Sequence, residues 1–303
     1  MPEGDTVWRT AQRLNEALAG DPLVHADLRW PSLALADLRG AVTLEIRARG
    51  KHLLHRLDNG LTLHSHLRME GQWRIESTAT LSVRRLADDD LRAVLGTTRW
   101  TALGLRLGML DLVTTSDGAS LVGHLGPDVL GSDWDPVIAT SNLAASASMI
   151  GAALLDQRNL AGVGTIYAAE SLFLQRLSPW ALATELPTTA VAALVERAHQ
   201  LLDIGRRNPL QSTTGRTRRG ETTFVHGRSG RPCLRCGTII RLGMVGTAPQ
   251  ERAMFYCPTC QDVRKFRDVR KFQADRSLPG DRSVQGVRTD GRRPPRPSPS
   301  RGR

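Results

Sequence analysis

The sequence predicts an α+β protein with a helix in front of a β-rich part, a helical part and a small cysteine segment. Residues 3–19 place their apolar side chains on one helix face, and Gly20 ends that helix. Residues 22–125 contain short alternating or β-rich runs separated by Gly, Asp and Asn, which is typical of a β-sandwich or barrel. The clearest of these runs are residues 42–46, 52–57, 61–66, 81–85 and 107–114.

A helical period follows from residue 149. Two apolar stripes, 149–154 and 166–177, flank a Gly162-Val163-Gly164 turn, and a third helix is predicted over 187–204. Residues 130–145 have no clear period and contain Gly, Asp, Pro and Ser, so they are predicted to be an interdomain linker. Residues beyond 261 are rich in Arg, Pro, Ser and Gly, which predicts a disordered tail.

Composition limits the classes of protein that remain. The chain is 40% hydrophobic and 23% charged, enough to bury a core. It has no run of 18 apolar residues, and residues 1–20 lack the basic start and apolar block of a secretory signal. We therefore expect no membrane span and a location in the cytoplasm.

Positive charge is concentrated in the C-terminal third. The net charge is +11, but residues 1–205 carry 18 basic and 23 acidic side chains. Residues 206–241 carry nine arginines against Glu221, and residues 264–303 carry 13 basic and 4 acidic side chains. Such focusing indicates a polyanionic partner, most simply nucleic acid, the alternative being a solvated arginine-rich surface.

Four cysteines form two close pairs. Cys233 and Cys236 are separated by two residues, as are Cys257 and Cys260, and twenty residues lie between the pairs. Two such turns can direct four thiolates at one ion, which predicts a single structural zinc. Redox-active dithiols are the alternative, but no thioredoxin-like βαβ pattern surrounds the pairs. The intervening residues 237–256 resemble a long β-hairpin, with Arg252 near its returning end.

Three residues in the N-terminal part of the chain, Pro2, Glu3 and Lys51, suggest chemistry. Removal of Met1 would expose Pro2 as a secondary amine, and an α-amine with a pKa of about 8 is partly neutral at neutral pH. Such an amine can form an iminium with an aldehyde-like carbon, and the adjacent Glu3 could carry a proton. Lys51 is the only lysine before residue 265, and lysine, unlike arginine, can exchange a proton. An ordinary N-terminus and a surface lysine or simple phosphate contact remain the alternatives.

Together these residues resemble the formamidopyrimidine-DNA glycosylase/endonuclease VIII family of base-excision repair enzymes. The resemblance rests on motifs that occur in the family's order, at residues 2–5, 50–51, 125–128, 162–170 and 252–261. The first residues, Pro-Glu-Gly-Asp-Thr-Val-Trp, resemble an actinobacterial endonuclease VIII-like branch.

The resemblance implies a fold and a domain plan. It implies an N-terminal β-sandwich catalytic domain with its leading helix over 1–129, a linker over 130–145 and a helix–two-turn–helix domain over 146–215. A β-hairpin zinc finger over 225–262 and a basic disordered tail over 263–303 complete the plan, with DNA bound between the domains.

The resemblance also implies residue roles. Pro2 would attack C1′ of the damaged nucleotide, Glu3 would donate a proton, and Lys51 and Arg252 would bind phosphates and support β- and δ-elimination. The residues expected to contact DNA are Met69 as a wedge in the base stack, His124, and the turn before the second helix with Gly164 and Thr165. His64 and His66, two residues apart, are interpreted as one face of a strand rather than a metal site.

Three positions depart from the family pattern. The family commonly has Glu at Thr6 and Asn at Thr165, and endonuclease VIII has Arg at His124. These changes put the rate and the tightness of DNA binding in question more than the reaction type.

The expected activity is removal of oxidised bases, pyrimidines being favoured, from damaged double-stranded DNA by a monomer, with single-stranded or bubble DNA left open. A zinc-ribbon nucleic-acid-binding protein, or a lesion binder that does not cut, is the alternative.

Overall fold

The computed structural model describes residues 2–261. Met1 and residues 262–303 lie outside the described residues, and with them the predicted basic tail and the last residue of the predicted zinc finger. Within the described part the order is a leading helix, a β-rich domain, a helical domain and a cysteine hairpin, which confirms the predicted fold class.

Two four-stranded antiparallel sheets form the N-terminal domain. The strands are β1 (His25–Leu28), β2 (Thr43–Arg49), β3 (His52–Leu57), β4 (Leu61–His66), β5 (Gln72–Ser77), β6 (Leu91–Gly96), β7 (Trp100–Leu105) and β8 (Met109–Thr114). One sheet has the order β1-β6-β7-β5 and the other β2-β3-β4-β8. Leu53, Leu63 and Leu95 belong to one buried cluster between the sheets. The domain is therefore a sandwich rather than a closed barrel.

The leading helix, α1 (Gly4–Leu18), joins the two domains. Its buried face includes Val7, Ala11 and Leu14, as its apolar spacing predicts. It packs on β2 and on a helix of the second domain, α7 (Thr188–Arg206). Because α1 begins at Gly4, the residues before it lie where the two domains meet.

One predicted strand is wrong. Residues 81–85 do not pair with a sheet, and Val83–Leu86 forms a one-turn helix, α2. The Ser82 side chain caps it by accepting a hydrogen bond from the Arg85 N–H at 3.2 Å. The alternation of this short run suggested a strand, but the Ser82 cap stabilises a helical turn there instead. A second short helix, α3 (Gly118–Val122), follows β8.

The second domain is built from four helices, one of which lies in the predicted linker. The helices are α4 (Pro136–Ala144), α5 (Ile150–Leu155), α6 (Thr165–Leu174) and α7. In α4, Ala139 and Leu143 are buried and the helix packs on α7. The linker prediction for 130–145 is thus wrong over most of its length. The signal was Asp135-Pro136, because the Asp135 carboxylate caps α4 at Val137 and Ile138, and proline suits the first helical turn.

The cysteine hairpin packs on the helical domain. Its strands, β9 (Arg241–Val245) and β10 (Arg252–Tyr256), pair antiparallel, as predicted for residues 237–256. Met254 and Val245 belong to the same buried cluster as the helices. The Trp180 indole N–H donates to the Met244 carbonyl at 2.8 Å, so backbone of the hairpin is held directly by the helical domain.

Candidate active site and metal centre

The Glu3 carboxylate lies at the N-terminus of α6. Pro2 is half-buried and Glu3 is fully buried. Glu3 Oε2 accepts the Gly164 N–H at 2.9 Å, and Glu3 Oε1 accepts the Ile166 N–H at 2.7 Å. A carboxylate satisfies the unpaired N–H groups of a helix start and is stabilised by the helix dipole. The first residues of the chain are therefore fixed to the second domain.

The environment of Glu3 favours its protonated form. Burial raises the pKa of this carboxyl above its ordinary value, and the Lys51 charge and the helix N–H groups offset only part of that effect. A carboxyl with a raised pKa can donate a proton nearer neutral pH, which is the property required of a general acid.

Gly164 has room for no side chain. A Cβ there would lie 2.4 Å from Glu3 Cδ, so glycine allows the close approach of the carboxylate. The prediction that this turn presents its N–H groups to a phosphate needs correction at Gly162 and Gly164. The Gly164 N–H is bonded to Glu3, and the Gly162 N–H donates to Gln157 Oε1 at 3.0 Å. Thr165, half-buried as the first residue of α6, stays a predicted DNA contact.

Lys51 is held by the tight turn between β2 and β3. Gly50 has φ 58°, and its N–H donates to Asp128 Oδ2 at 2.8 Å. The other oxygen of Asp128 accepts the Leu130 N–H at 3.1 Å. Asp128 thereby fixes the lysine turn to the chain segment that leads into the second domain. None of the sequence patterns assigned this role to Asp128.

The Lys51 ammonium meets the segment just before α6. Lys51 Nζ donates to the Val163 carbonyl at 2.7 Å. Burial lowers the pKa of Lys51, the negative charge of Glu3 opposes this effect, and the positive charge of Arg252 adds to it. The lone lysine, the buried acid and the arginine of the hairpin therefore influence one another electrostatically, although they are far apart in sequence.

Arg252 and two further predicted DNA contacts, His124 and Met69, lie on exposed positions. Arg252 begins β10 and is exposed, as is His124 in the loop after α3. Met69 is 65% exposed in the loop after β4, and its role as a wedge stays a prediction. The His124 ring centroid lies 6.4 Å from that of His52.

Sequence analysis missed a hydrogen-bonded chain beside Lys51. His52 Nδ1 lies 2.8 Å from His64 Nε2, and His64 Nδ1 lies 3.0 Å from Asp111 Oδ2. His64 and His66 do share one strand face, but His64 also contacts side chains of β3 and β8. The alternation within β4 was visible in the sequence, whereas the pairing with β3 and β8 was not.

A second buried acid, Glu170 of α6, binds the backbone of the segment that precedes the cysteine hairpin. Its carboxylate accepts the N–H groups of Phe224, Val225 and His226 at 2.7, 2.8 and 2.8 Å. Burial raises the pKa of Glu170. The same helix that meets Glu3 at its start thus orders residues 224–226 from its middle.

The four cysteines form one compact ligand set. The Sγ atoms of Cys233, Cys236, Cys257 and Cys260 all lie within 4.8 Å of one another. The Sγ atoms of Cys236 and Cys257 are 3.5 Å apart and those of Cys233 and Cys260 are 4.0 Å apart. Zinc–sulfur bonds of about 2.3 Å in a tetrahedron place sulfurs roughly 3.8 Å apart. The set fits a tetrahedral zinc that holds the ends of the hairpin together.

Comparison with known proteins gives consistent matches along the chain. The formamidopyrimidine-DNA glycosylase N-terminal domain matches residues 1–108, and the formamidopyrimidine-DNA glycosylase H2TH domain matches residues 125–214. The second match begins before residue 146, in agreement with α4 being part of the helical domain.

Relatives in other bacteria match most of the chain. The protein called probable endonuclease 8 2 of Streptomyces coelicolor is 48% identical over 262 residues, covering 86% of this chain and 94% of the relative. The DNA-(apurinic or apyrimidinic site) lyase Nei2 of Mycolicibacterium smegmatis is 42% identical over 268 residues, covering 86% and 99%. The structure of a Lactococcus lactis formamidopyrimidine-DNA glycosylase bound to abasic-site DNA has a TM-score of 0.72 at 23% identity, covering 86% and 99%, and is similar in fold.

The fold and the matches define a DNA-repair enzyme of the glycosylase and abasic-site lyase class. The chain belongs to the formamidopyrimidine-DNA glycosylase/endonuclease VIII family. Among residues 2–261, no helix is both long and apolar enough to cross a membrane.

Proposed function

We propose that this protein releases oxidised bases from DNA and cleaves the strand through a Schiff base on Pro2. The observation that carries the proposal is the position of Glu3. The residue next to the proposed nucleophile places a buried carboxyl at the start of α6, within electrostatic reach of Lys51. A proton donor and a cation thus accompany the amine that Met1 removal would expose.

The proposed reaction begins at C1′. The lone pair of the Pro2 nitrogen forms a bond to C1′ while the bond from C1′ to the base breaks, and the base leaves with that electron pair and takes up a proton. Glu3 protonates the ring oxygen as the sugar opens, and the Pro2 nitrogen releases its hydrogen as a proton to water, which leaves an iminium between Pro2 and C1′. Loss of a C2′ proton then expels the 3′ phosphate, and a second elimination expels the 5′ phosphate. The target nucleotide has to be flipped out of the duplex first.

The two cations have complementary places in this proposal. Lys51 comes from the sandwich and Arg252 from the hairpin, so they can hold phosphates on either side of the lesion. The exposed Met69 is assigned to the base stack as a wedge, and the exposed His124 is assigned to the DNA backbone. Zinc, bound by the four cysteines, would keep β9 and β10 in place and takes no part in the chemistry.

We further infer that oxidised pyrimidines in double-stranded DNA are the preferred substrate. This rests on the Pro-Glu-Gly start and the similarity to proteins called endonuclease 8. Structural neighbours bound to abasic-site DNA support DNA as the ligand. We expect the protein to act as a monomer. We also expect it in the bacterial cytoplasm, because the DNA that it would repair lies there.

Reductive trapping tests the nucleophile. The protein is made with a cleavable N-terminal extension, so that trimming converts the Pro2 nitrogen from an amide to a free amine in the same chain. Borohydride is then added with abasic-site DNA, and zinc is quantified in both forms. We expect a covalent adduct with the trimmed form alone. No adduct from trimmed, zinc-loaded protein would refute the proposal and favour a zinc-ribbon binding protein or a lesion binder.

A lesion panel tests the substrate. Single-turnover release of thymine glycol, 5-hydroxyuracil, uracil and 8-oxoguanine is compared in duplex, bubble and single-stranded DNA. Faster release of the two oxidised pyrimidines from duplex supports the inference, and a preference for 8-oxoguanine contradicts it.

A further inference from the structure

Three side chains from three adjacent strands form a hydrogen-bonded row on the sandwich. Asp111 of β8, His64 of β4 and His52 of β3 are joined at 3.0 and 2.8 Å. The row ends beside Lys51, the residue before His52. His64 is buried, His52 is half-buried, and the Asp111 side chain is 44% exposed. The row therefore runs from the partly exposed Asp111 to His52, which follows the proposed phosphate-binding lysine in the chain.

The carboxylate at one end fixes the tautomers along the row. A carboxylate can only accept, so His64 Nδ1 carries the hydrogen that points to Asp111. In neutral His64 the Nε2 atom is then an acceptor, and His52 Nδ1 has to donate to it. Neutral His52 is consequently left with a lone pair on Nε2, the ring nitrogen that does not face His64.

The neighbouring His66 has the opposite arrangement. The Arg68 N–H donates to His66 Nδ1 at 2.9 Å, so neutral His66 carries its hydrogen on Nε2. The His52 and His66 ring centroids are 5.0 Å apart in an edge-to-face contact. The free ring nitrogens of the two neutral imidazoles thus differ: Nε2 of His66 is a hydrogen-bond donor, and Nε2 of His52 is an acceptor.

Several charged and titratable groups face His52. Lys51 precedes it, His64 and His66 contact it from β4, and His124 approaches from the loop after α3. Its strand partner on β2 is Arg49, whose guanidinium pairs with Asp133 and the Gly126 carbonyl. Burial and the nearby histidines and lysine lower the pKa of His52 to about 3, and burial lowers that of His66 to about 4. Free His52 is therefore neutral.

We propose that His52, held in its tautomer by His64 and Asp111, is a proton-accepting contact for a backbone phosphodiester of the strand that Lys51 binds. This inference rests on the proposed DNA-binding function. A phosphodiester oxygen only accepts hydrogen bonds, so it cannot pair with the lone pair of His52 Nε2. A proton taken from solvent onto Nε2 converts this acceptor into a charged donor, and the phosphate supplies the countercharge. His64 and Asp111 act as positioning residues.

The sign of the resulting pH dependence follows. A pKa raised on binding makes the bound state take up a proton, so affinity increases as the pH falls through the bound-state pKa. The gain reaches at most tenfold per pH unit and ends near the free-state pKa of about 3. Neutral His66, already a donor, contributes no such gain while it stays neutral.

The experiment measures proton uptake on DNA binding. The full chain is titrated with a duplex containing a tetrahydrofuran abasic analogue, which cannot form a Schiff base. Calorimetry at pH 6 in buffers of different ionisation enthalpy counts protons, and affinity is measured from pH 5 to 7.5. His52→Gln and Asp111→Asn are compared with His25→Gln, an exposed histidine on β1.

Wild type and His25→Gln are expected to take up more protons on DNA binding than His52→Gln. As the pH falls, the DNA affinity of wild type should increase more steeply than that of His52→Gln, by a factor of up to ten per pH unit. Asp111→Asn should reduce uptake as well, because an amide N–H can donate to His64 Nδ1 and reverse the row. Equal uptake in wild type and His52→Gln overturns the inference. Borohydride trapping on the same preparations tests Pro2 separately, since the analogue reports binding without chemistry.

Discussion

Glu3 and Gly164 lie closer together than any other residue type at position 164 would allow. The Gly164 N–H donates to Glu3 Oε2 at 2.9 Å, and the space that a Cβ would need is occupied by the carboxyl itself. A residue at the start of the sandwich domain and a residue of the helical domain are thus in direct contact at the proposed reaction centre. The first prediction follows directly from this contact.

Gly164→Ala is expected to lower single-turnover base release about 100-fold, because the new Cβ would lie 2.4 Å from Glu3 Cδ and displace the carboxyl. Zinc content should be unchanged, since the cysteines are remote from this contact. Gly118→Ala is the matched control, because a Cβ at Gly118 meets nothing within 4 Å. Equal rates for the two variants would show that the position of Glu3 is not critical.

Glu3→Gln is expected to lower release of an intact damaged base by about 10²–10⁴-fold, the usual contribution of a general acid, while trapping on abasic DNA persists. The raised pKa of Glu3 predicts that wild-type activity declines as pH rises through that value, because the proton is lost. The variant should lack this decline. Glu16→Gln, an exposed position on the same helix, is the control. Unchanged base release by Glu3→Gln contradicts the assigned role.

Glu170→Gln is expected to reduce the free energy of unfolding by about 2 kcal/mol, because an amide cannot accept all the N–H groups that the carboxylate accepts. Urea unfolding measures the change. The exposed Glu185 supplies the control, Glu185→Gln, which should be neutral. If both variants unfold at the same urea concentration, residues 224–226 are held mainly by other contacts.

Met69→Ala is expected to slow base release from duplex DNA by about 10–100-fold and to leave single-stranded DNA nearly unaffected. An apolar wedge offsets part of the few kcal/mol of unstacking, and single strands need less of this. Leu35→Ala, a fully exposed apolar position elsewhere on the sandwich, controls for general effects. An equal loss on both DNA forms would argue against a wedge.

Zinc removal is expected to abolish DNA binding and lower the melting temperature. The thiolates connect the two ends of a two-stranded hairpin, so loss of the ion should free β9 and β10. Metal analysis should give one zinc per chain before chelation. Tight DNA binding by metal-free protein would contradict the structural role.

The sequence predicted those features that local pattern or motif determines. The amphipathic spacing in α1, the isolated Lys51 and the two cysteine pairs were all readable along the chain. Helix α4 was missed because its apolar side chains do not gather on one face, Val137 and Ile138 being exposed while Leu143 is buried, although Asp135-Pro136 marked its start. Asp128 and Asp111 were missed for a different reason: each acts through a partner brought near only by folding, the Gly50 turn in one case and His64 in the other.

The bond from the Gly4 N–H to the Gly162 carbonyl, at 2.9 Å, extends the attachment made by Glu3 by one further residue. By chain order the amine at Pro2 is part of the sandwich, yet its immediate backbone is anchored to the segment before α6. Any hinge motion that separates the two halves and keeps these bonds would thus carry the proposed nucleophile with the helices. Opening for a new DNA substrate would then also part that nitrogen from the strand proposed to bind at Lys51.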